Sequence, residues 1–172
     1  MTFAGQHYRV TGHAIHPRPR QQPHPPILIG GNGRQILALA AREADIVALT
    51  GVTFSQGGTG RDFSGFTAAG TDERLRWIRE AAGERFARLE LNALIQRVIV
   101  TGDRAKAAED LARQWSLAPA EILEGPFVLL GTADEIVEAL RRRRERWGFS
   151  YYVVMEPALE TFAPVVARLA GH

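Results

Sequence analysis

The chain has 172 residues, of which 45% are apolar and 23% are charged. These proportions are typical of a single globular core and exclude a wholly disordered chain. The absence of cysteine excludes a disulfide framework and a thiolate metal site.

The charge and the hydropathy of the sequence argue against nucleic acid and membranes as binding partners. Basic residues number 21 and acidic residues 19, which gives a net charge of +2. Arg and Glu alternate along most helical stretches, as at Glu73–Arg74, and this pattern predicts a solvated surface of mixed sign rather than a nucleic-acid face. No apolar run reaches the ~18 residues of a membrane span, and the residues after Met1 are unlike a signal peptide. We therefore expect a cytoplasmic protein that binds neither nucleic acid nor membrane.

Residues 1–25 differ in character from the rest of the chain. They combine turn-prone glycines and prolines with no helical periodicity, and they end in a stiff Pro-rich stretch. This pattern predicts an extended arm or loose hairpin, with apolar positions at Phe3, Tyr8, Val10 and Ile15. Residues 26–172 are predicted to form the folded domain.

The first regular unit follows the arm. Ile27-Leu28-Ile29 is a continuous apolar run, which predicts a strand buried on both faces. It ends at Gly30-Gly31-Asn32-Gly33, after which apolar residues recur at helical spacing. A second apolar run spans residues 46–49 and closes at Thr50-Gly51. Strand, glycine turn, helix and strand form a βαβ unit, which predicts parallel strands.

The remainder continues this alternation. Residues 51–70 predict a functional or disordered loop, Thr71 is predicted to cap the next helix, and Leu91–Val100 is predicted to be one long strand. Asp103 is predicted to begin the next helix, which is followed by a short helix over Pro119–Leu123 and an apolar run over Phe127–Leu130. A capping box of Thr132 and Glu135 begins another helix, which ends at Trp147 and Gly148. A strand over Ser150–Met155 and a closing helix containing Phe162–Leu169 complete the prediction. The sequence therefore predicts an α/β fold of four βα units with one helical insertion.

The glycine turn is the segment that points most directly to chemistry. A strand that runs through glycines into a helix exposes backbone N–H groups and the positive end of the helix dipole, which suits a phosphate. Gly30, Gly31, Asn32 and Gly33 would supply this turn, and Arg34 would add a charge-assisted contact. Alternatively, the glycines only make a tight βα turn. The dinucleotide fingerprint fails because Ile36 stands where a third glycine is required.

Other polar residues carry weaker signals. Asn92 and Gln96 are four residues apart on the predicted long strand and so share a face. They either line a pocket or are buried amides satisfied by neighbours. The histidines of the arm have no carboxylate near them in the sequence, so we predict no metal site. We identify no catalytic acid, base or nucleophile.

Several segments together resemble the luciferase-like oxidoreductases, and more narrowly their coenzyme F420-dependent branch. The matching segments are Thr2–Tyr8, Pro25–Gly33, Leu39–Ile46, Gly131–Ile136 and Trp147–Tyr151. The resemblance implies a (β/α)8 barrel that binds a deazaflavin, coenzyme F420, or alternatively FMN, at the C-terminal ends of its strands. It also implies hydride transfer to or from a small organic substrate, with the turn at Gly30–Gly33 near the cofactor's phosphate.

The resemblance covers only the second half of that family. A (β/α)8 barrel takes about 250 residues, and this sequence corresponds to units five to eight, so the expected fold is a partial TIM barrel with an N-terminal arm. We expect a truncated, split or late-starting protein whose unpaired edge strands make it self-associate or bind a partner with the missing half-barrel. A non-catalytic half-barrel that keeps phosphate affinity is the alternative function.

Overall fold

The computed structural model describes residues 1–14, 16–54 and 61–171. In chain order, the strands are β1 (Phe3–Ala4), β2 (Arg9–Val10), β3 (Leu28–Gly31), β4 (Ile46–Leu49), β5 (Thr53–Phe54), β6 (Arg61–Asp62), β7 (Glu90–Leu94), β8 (Arg97–Val100), β9 (Val128–Gly131) and β10 (Phe149–Val153). The α-helices are α1 (Arg34–Glu43), α2 (Ala68–Ala82), α3 (Arg104–Trp115), α4 (Pro119–Glu124), α5 (Ala133–Trp147) and α6 (Leu159–Leu169). Two 3₁₀ turns span Gly83–Arg88 and Glu156–Ala158.

The main sheet has four parallel strands in the order β10-β7-β4-β3. The predicted βαβ unit is confirmed, since β3 and β4 pair in parallel with α1 between them in the chain. Within the described residues β3 and β10 are the outer strands of this sheet, as expected for the edges of an open barrel segment. The prediction that the first strand is buried on both faces is wrong, because an edge strand leaves Leu28 46% exposed.

The core consists of a larger cluster, which includes residues of the sheet and of α1 to α4, and a smaller one that joins α5 and α6. Leu37, Ala40 and Ala41 of α1, and Ala44 just after it, are fully buried. They belong to one cluster with Val47 and Leu49 of β4, as the helical spacing predicts. Alternation along the strands then assigns the row Gly30, Ala48, Asn92 and Tyr151, which are register partners, to the opposite face of the sheet.

The predicted long strand over residues 91–100 is in fact two strands. The backbone N–H of Ile95 donates to the carbonyl of Val153, whereas the N–H of Gln96 donates to the carbonyl of Phe127. The chain thus changes partner at this point, from β10 to the β9 segment, and β8 pairs in parallel with β9 outside the main sheet. The change of partner interrupts the alternation of faces on which the prediction rested.

Helix α2 begins earlier than predicted. Thr67, not Thr71, is its N-cap, and its Oγ1 accepts from the N–H of Gly70 at 3.0 Å. Thr71 is buried in the first turns and donates its own hydroxyl to the carbonyl of Thr67. The helix ends at Ala82, where Gly83 has a φ of +54°, and a 3₁₀ turn follows.

The N-terminal arm contains the expected hairpin. Strands β1 and β2 pair antiparallel, and Gly5 N–H donates to the carbonyl of Tyr8 across the turn. Ile15, one of the predicted apolar positions, and residues 55–60 of the predicted loop lie outside the described residues. In the part of the chain that the structure describes, every helix is too short or too polar to cross a bilayer.

Candidate functional site at the glycine turn

The glycine turn lies where β3 ends and α1 begins. Since β3, β4 and β7 run parallel, this turn is at the edge formed by their carboxyl ends, where open α/β sheets bind ligands. Gly33 is the N-cap residue of α1, with extended backbone (φ −87°, ψ 153°) and no side-chain cap. The first N–H groups of a helix have no intrahelical acceptor. Among the described residues, no side chain caps the start of α1, which presents its backbone donors at the positive end of the helix dipole.

The three glycines of the turn serve different purposes. A Cβ on Gly31 would lie 2.5 Å from Cγ2 of Ile36, so glycine is required there for the chain to turn tightly. A Cβ on Gly33 would meet no atom within 4 Å, and one on Gly30 would lie 3.4 Å from Cβ of Ala48. The tight-turn interpretation thus accounts for Gly31, whereas open space remains in front of Gly33.

Asn32 faces inward. Its side chain is buried, with Nδ2 donating to Oγ1 of Thr53 at 2.9 Å and Oδ1 accepting from Nε of Arg74 at 2.8 Å. Its backbone carbonyl also accepts from the same Nε at 3.0 Å. Because these bonds occupy the side chain of Asn32, it would not contact a ligand directly. Its side chain instead fixes the position of the turn's backbone.

Arg74 is the residue that the sequence analysis missed. It was interpreted as one of a solvated Glu–Arg pair, but it is only 5% exposed. Besides Asn32, its guanidinium donates to the carbonyl of Gly70 and to Oγ of Ser64, and it lies 5.4 Å from the ring centroid of Trp77. Burial lowers the pKa of Arg74. One signal was present: Arg74 lies four residues before buried Ile78, on the same helical face.

The loop before α2 supports Arg74. Asp62 accepts from both the backbone N–H and the hydroxyl of Ser64, and the backbone bond is the main cause of a lowered pKa for Asp62. Gly65 is required beside this network, because a Cβ there would lie 2.4 Å from Oδ1 of Asn32 and 2.6 Å from Nε of Arg74. The glycine turn is thus held by a segment more than 30 residues away in sequence.

Arg34, the predicted phosphate contact, stands in solvent at the first position of α1. Its side chain is 71% exposed, and its Nη2 lies 3.9 Å from Oε2 of Glu80. An exposed pair at this distance contributes little free energy. The guanidinium is therefore held only weakly in its present position.

Asn92 and Gln96 occupy different environments. Asn92 lies within β7 and is 2% exposed, and its Nδ2 has no hydrogen-bond partner among the described residues. Gln96 follows the strand and donates Nε2 to the carbonyl of Thr50 at 3.0 Å, which ties the end of β4 to the β7–β8 connection. The premise that one continuous strand places both on a shared face is wrong, because β7 ends at Leu94.

Comparison with known proteins agrees with this fold. The model of the luciferase-like monooxygenase family matches residues 1–151. Among solved structures, an F420-dependent secondary alcohol dehydrogenase in complex with an F420–acetone adduct is 19% identical, with a TM-score of 0.57 over 90% of this chain and 49% of its own. The long-chain alkane monooxygenase LadA is 16% identical, with a TM-score of 0.60 over 98% of this chain and 46% of its own. EDTA monooxygenase from Chelativorans sp. BNC1 is 15% identical, with a TM-score of 0.60 over 98% of this chain and 49% of its own.

These comparisons identify the fold and its extent. The chain spans about half the length of the solved structures that it matches, as expected for part of a luciferase-like TIM barrel. No curated protein matches it. Because the family model matches 151 of its 172 residues, the chain belongs to the luciferase-like monooxygenase family.

Proposed function

We propose that this chain is the C-terminal half-barrel of an oxidoreductase that binds coenzyme F420, or alternatively FMN, through a phosphate at the glycine turn. The observation that carries the proposal is the uncapped start of α1, which presents backbone N–H groups beside open space at Gly33. A helix N-terminus of this kind favours an anion. Two structural neighbours support this choice of cofactors. They are the F420-dependent secondary alcohol dehydrogenase and the riboflavin lyase RcaE, whose structure contains modified FMN.

The residues of the turn would divide the work of binding. The backbone of Gly33 and the first turn of α1 would donate to the phosphate, and the exposed guanidinium of Arg34 would close over it. Gly30 and Gly31 keep side chains away from the approach, and Asn32 holds the turn through Arg74. When bound, the cofactor supplies the hydride acceptor or donor. Asn92, on the opposite face from the helices, is a candidate to line the pocket for a small organic substrate.

We further propose that other strands pair with the two outer strands of the sheet, supplied by a second copy or by a partner with the missing half-barrel. Both outer strands carry exposed apolar residues, with Leu28 46% and Tyr151 39% exposed. Exposed parallel edges of this kind are association surfaces. Sedimentation of the purified chain should show a dimer or larger species, and a stable monodisperse monomer would contradict this proposal.

A non-catalytic half-barrel is the second candidate. The observation in its favour is that Gly30–Gly33 carry no side chain able to act as a general acid or base, so the contribution of this turn is binding and positioning. Such a protein would bind the cofactor without turning over substrate. Turnover assays with and without a candidate N-terminal half distinguish the two functions.

Cofactor titration followed by fluorescence tests the binding site. F420 and FMN are each titrated into the wild-type chain and into two variants of α1, Arg34→Gln and Arg42→Gln. Both arginines are exposed on the same helix, but only Arg34 lies at the N-terminus. We expect Arg34→Gln to weaken binding by about fivefold and Arg42→Gln to leave it unchanged. Equal affinities in both variants would contradict the site.

A further inference from the structure

A second concave site lies far along the chain from the glycine turn, between the helices α3, α4 and α5. The cavity has a volume of about 670 Å³, within the range of small-molecule sites. We call it the arginine cavity because four arginines line it, namely Arg104, Arg142, Arg143 and Arg146. None of these residues belongs to the glycine turn or to the network around Arg74.

Arg143 supplies a fixed positive charge at the wall of the arginine cavity. It is only 6% exposed, and its guanidinium donates to the backbone carbonyls of Gly125, Pro126 and Val128 at 2.7–3.1 Å. Burial lowers its pKa to about 10, which leaves it cationic at neutral pH. No carboxylate of the described residues forms an ion pair with it. Its terminal nitrogens already donate to these carbonyl groups, so Arg143 contributes charge at the cavity wall rather than a direct contact to a ligand.

Arg104 and Arg142 reinforce this charge. The Nε of Arg104 is buried without a hydrogen-bond partner among the described residues, and Arg142 is exposed. Neither guanidinium lies within ion-pair distance of a carboxylate in the described part of the chain, whereas Arg146, which also lines the cavity, pairs with Asp72. Three of the four arginines that line the cavity therefore form no close ion pair with the described carboxylates.

Like charges held together in this way are unfavourable unless an anion offsets them. Both Arg104 and Arg142 contribute to the lowered pKa of Arg143, so the three cations interact. Glu124 and Glu145 supply two negative charges against these three, while the charge of Arg146, the fourth arginine of the lining, is matched by Asp72. Guanidinium groups bind carboxylate and phosphate oxygens bidentately, and the cavity has room for a molecule with several such groups.

We propose that the arginine cavity binds a small multivalent oxyanion, of the phosphate or carboxylate type, separately from the cofactor phosphate at the glycine turn. The unpaired donors of Arg104 and Arg142 would contact the oxyanion, while Arg143 supplies charge from the wall. Trp147, at the cavity and hydrogen-bonded to Oδ1 of Asp72, reports on occupancy by its fluorescence. The site does not depend on the proposed oxidoreductase function.

Isothermal titration with pyrophosphate and with citrate tests this site and separates the two oxyanion types. Titrations use the full chain carrying Gly33→Asp, which blocks the glycine turn. Adding Arg104→Gln and Arg142→Gln should weaken binding of the preferred probe by about tenfold or more. The matched control adds Arg113→Gln and Arg141→Gln, which removes the same charge from the same two helices at paired, exposed positions. The control should bind like the parent.

Three outcomes would overturn the proposal. They are no binding of either probe at millimolar concentration, equal weakening by both double variants, and unchanged affinity in the Arg104→Gln/Arg142→Gln chain. The urea midpoint of each variant is measured alongside, and the single variant Arg142→Gln, at an exposed position, provides the same comparison if the double variant is unstable. Preference for pyrophosphate or for citrate then assigns the ligand to phosphates or to carboxylates.

Discussion

Two strand–glycine–helix connections of this chain share a backbone plan but end differently. At the first, β3 ends at Gly31 and α1 begins two residues after Asn32, and at the second, β9 ends at Gly131 and α5 begins after Thr132. Thr132 and Glu135 close the second connection with a capping box, in which Oε2 of Glu135 accepts from the N–H of Thr132 at 2.7 Å. The start of α1 has no side-chain cap. We therefore call the first connection open and the second closed.

The comparison sets a helix start that is closed by its own carboxylate against one that has no side-chain cap. Gly131 has a φ of +121°, and a Cβ there would lie 2.6 Å from Oε2 of Glu135, so this glycine makes room for the chain's own carboxylate. At α1 the equivalent carboxylate is absent, and the turn is held from behind by Arg74 instead. An anion from solution can then take the place that Glu135 occupies at α5.

The largest expected effect comes from removing the support behind the open connection. Arg74→Leu would leave the carbonyl groups of Asn32 and Gly70 and the hydroxyl of Ser64 without their buried donor. We expect a loss of about 3 kcal/mol in the free energy of unfolding, since losing one partner of a buried charged network leaves the others unsatisfied. Urea denaturation measures this loss.

Arg143→Leu is the matched control for Arg74→Leu. It removes a second buried arginine that donates to three carbonyl groups, but far from the glycine turn. Where both variants remain folded at low urea, only Arg74→Leu should weaken cofactor binding. Equal cofactor affinity in the two variants would show that Arg74 does not position the turn.

The second prediction converts the open connection into a closed one. Gly33 has an extended backbone that any residue adopts, and a side chain there meets no atom within 4 Å. Gly33→Asp should cap α1 with a carboxylate and weaken cofactor binding by about tenfold or more, because the carboxylate occupies the backbone donors and repels a phosphate. Fluorescence titration measures the change.

Gly33→Ala is the matched control for this carboxylate. It adds a Cβ without a hydrogen-bond acceptor, so its affinity should fall much less than that of Gly33→Asp. If the two variants bind the cofactor equally, or if Gly33→Asp binds like the wild type, the phosphate does not sit at the start of α1.

The closed connection could be predicted from the sequence and the open one only in part. Thr132, Glu135 and Gly148 act within one helix, so local spacing predicts both ends of α5, and the structure confirms them. Arg74 reaches a carbonyl 42 residues earlier, and the break after Leu94 follows from a change of partner strand. Such distant contacts leave no periodicity in the sequence, which is why Arg74 resembled a surface residue and β7–β8 resembled one strand.

The third prediction opens the closed connection. Thr132→Ala removes the acceptor for the N–H of Glu135 at the start of α5. We expect a loss of about 1 kcal/mol in the free energy of unfolding, the usual cost of losing such a cap. Because α5 is not part of the glycine turn, the affinity for F420 or FMN should not change. A fall in cofactor affinity without a fall in stability would contradict this separation of the two connections.

The smallest expected effect is the pH dependence of the closed connection. The bond that Glu135 accepts from the N–H of Thr132 lowers the pKa of its carboxyl below the usual 4.5. A group whose pKa is lowered by folding stabilises the folded state above its unfolded pKa and loses that contribution as the pH falls through its folded pKa. Glu135→Gln keeps an acceptor but carries no charge, so the wild type should be the more stable at pH 7 and the difference should shrink below pH 4.5.

Every other carboxylate, Asp62 included, titrates in both chains, and subtracting the two urea-derived free energies isolates Glu135. A difference that stays constant from pH 7 to pH 3 would mean that the charge of Glu135 does not close α5, and the contrast with α1 would then rest on Thr132 alone.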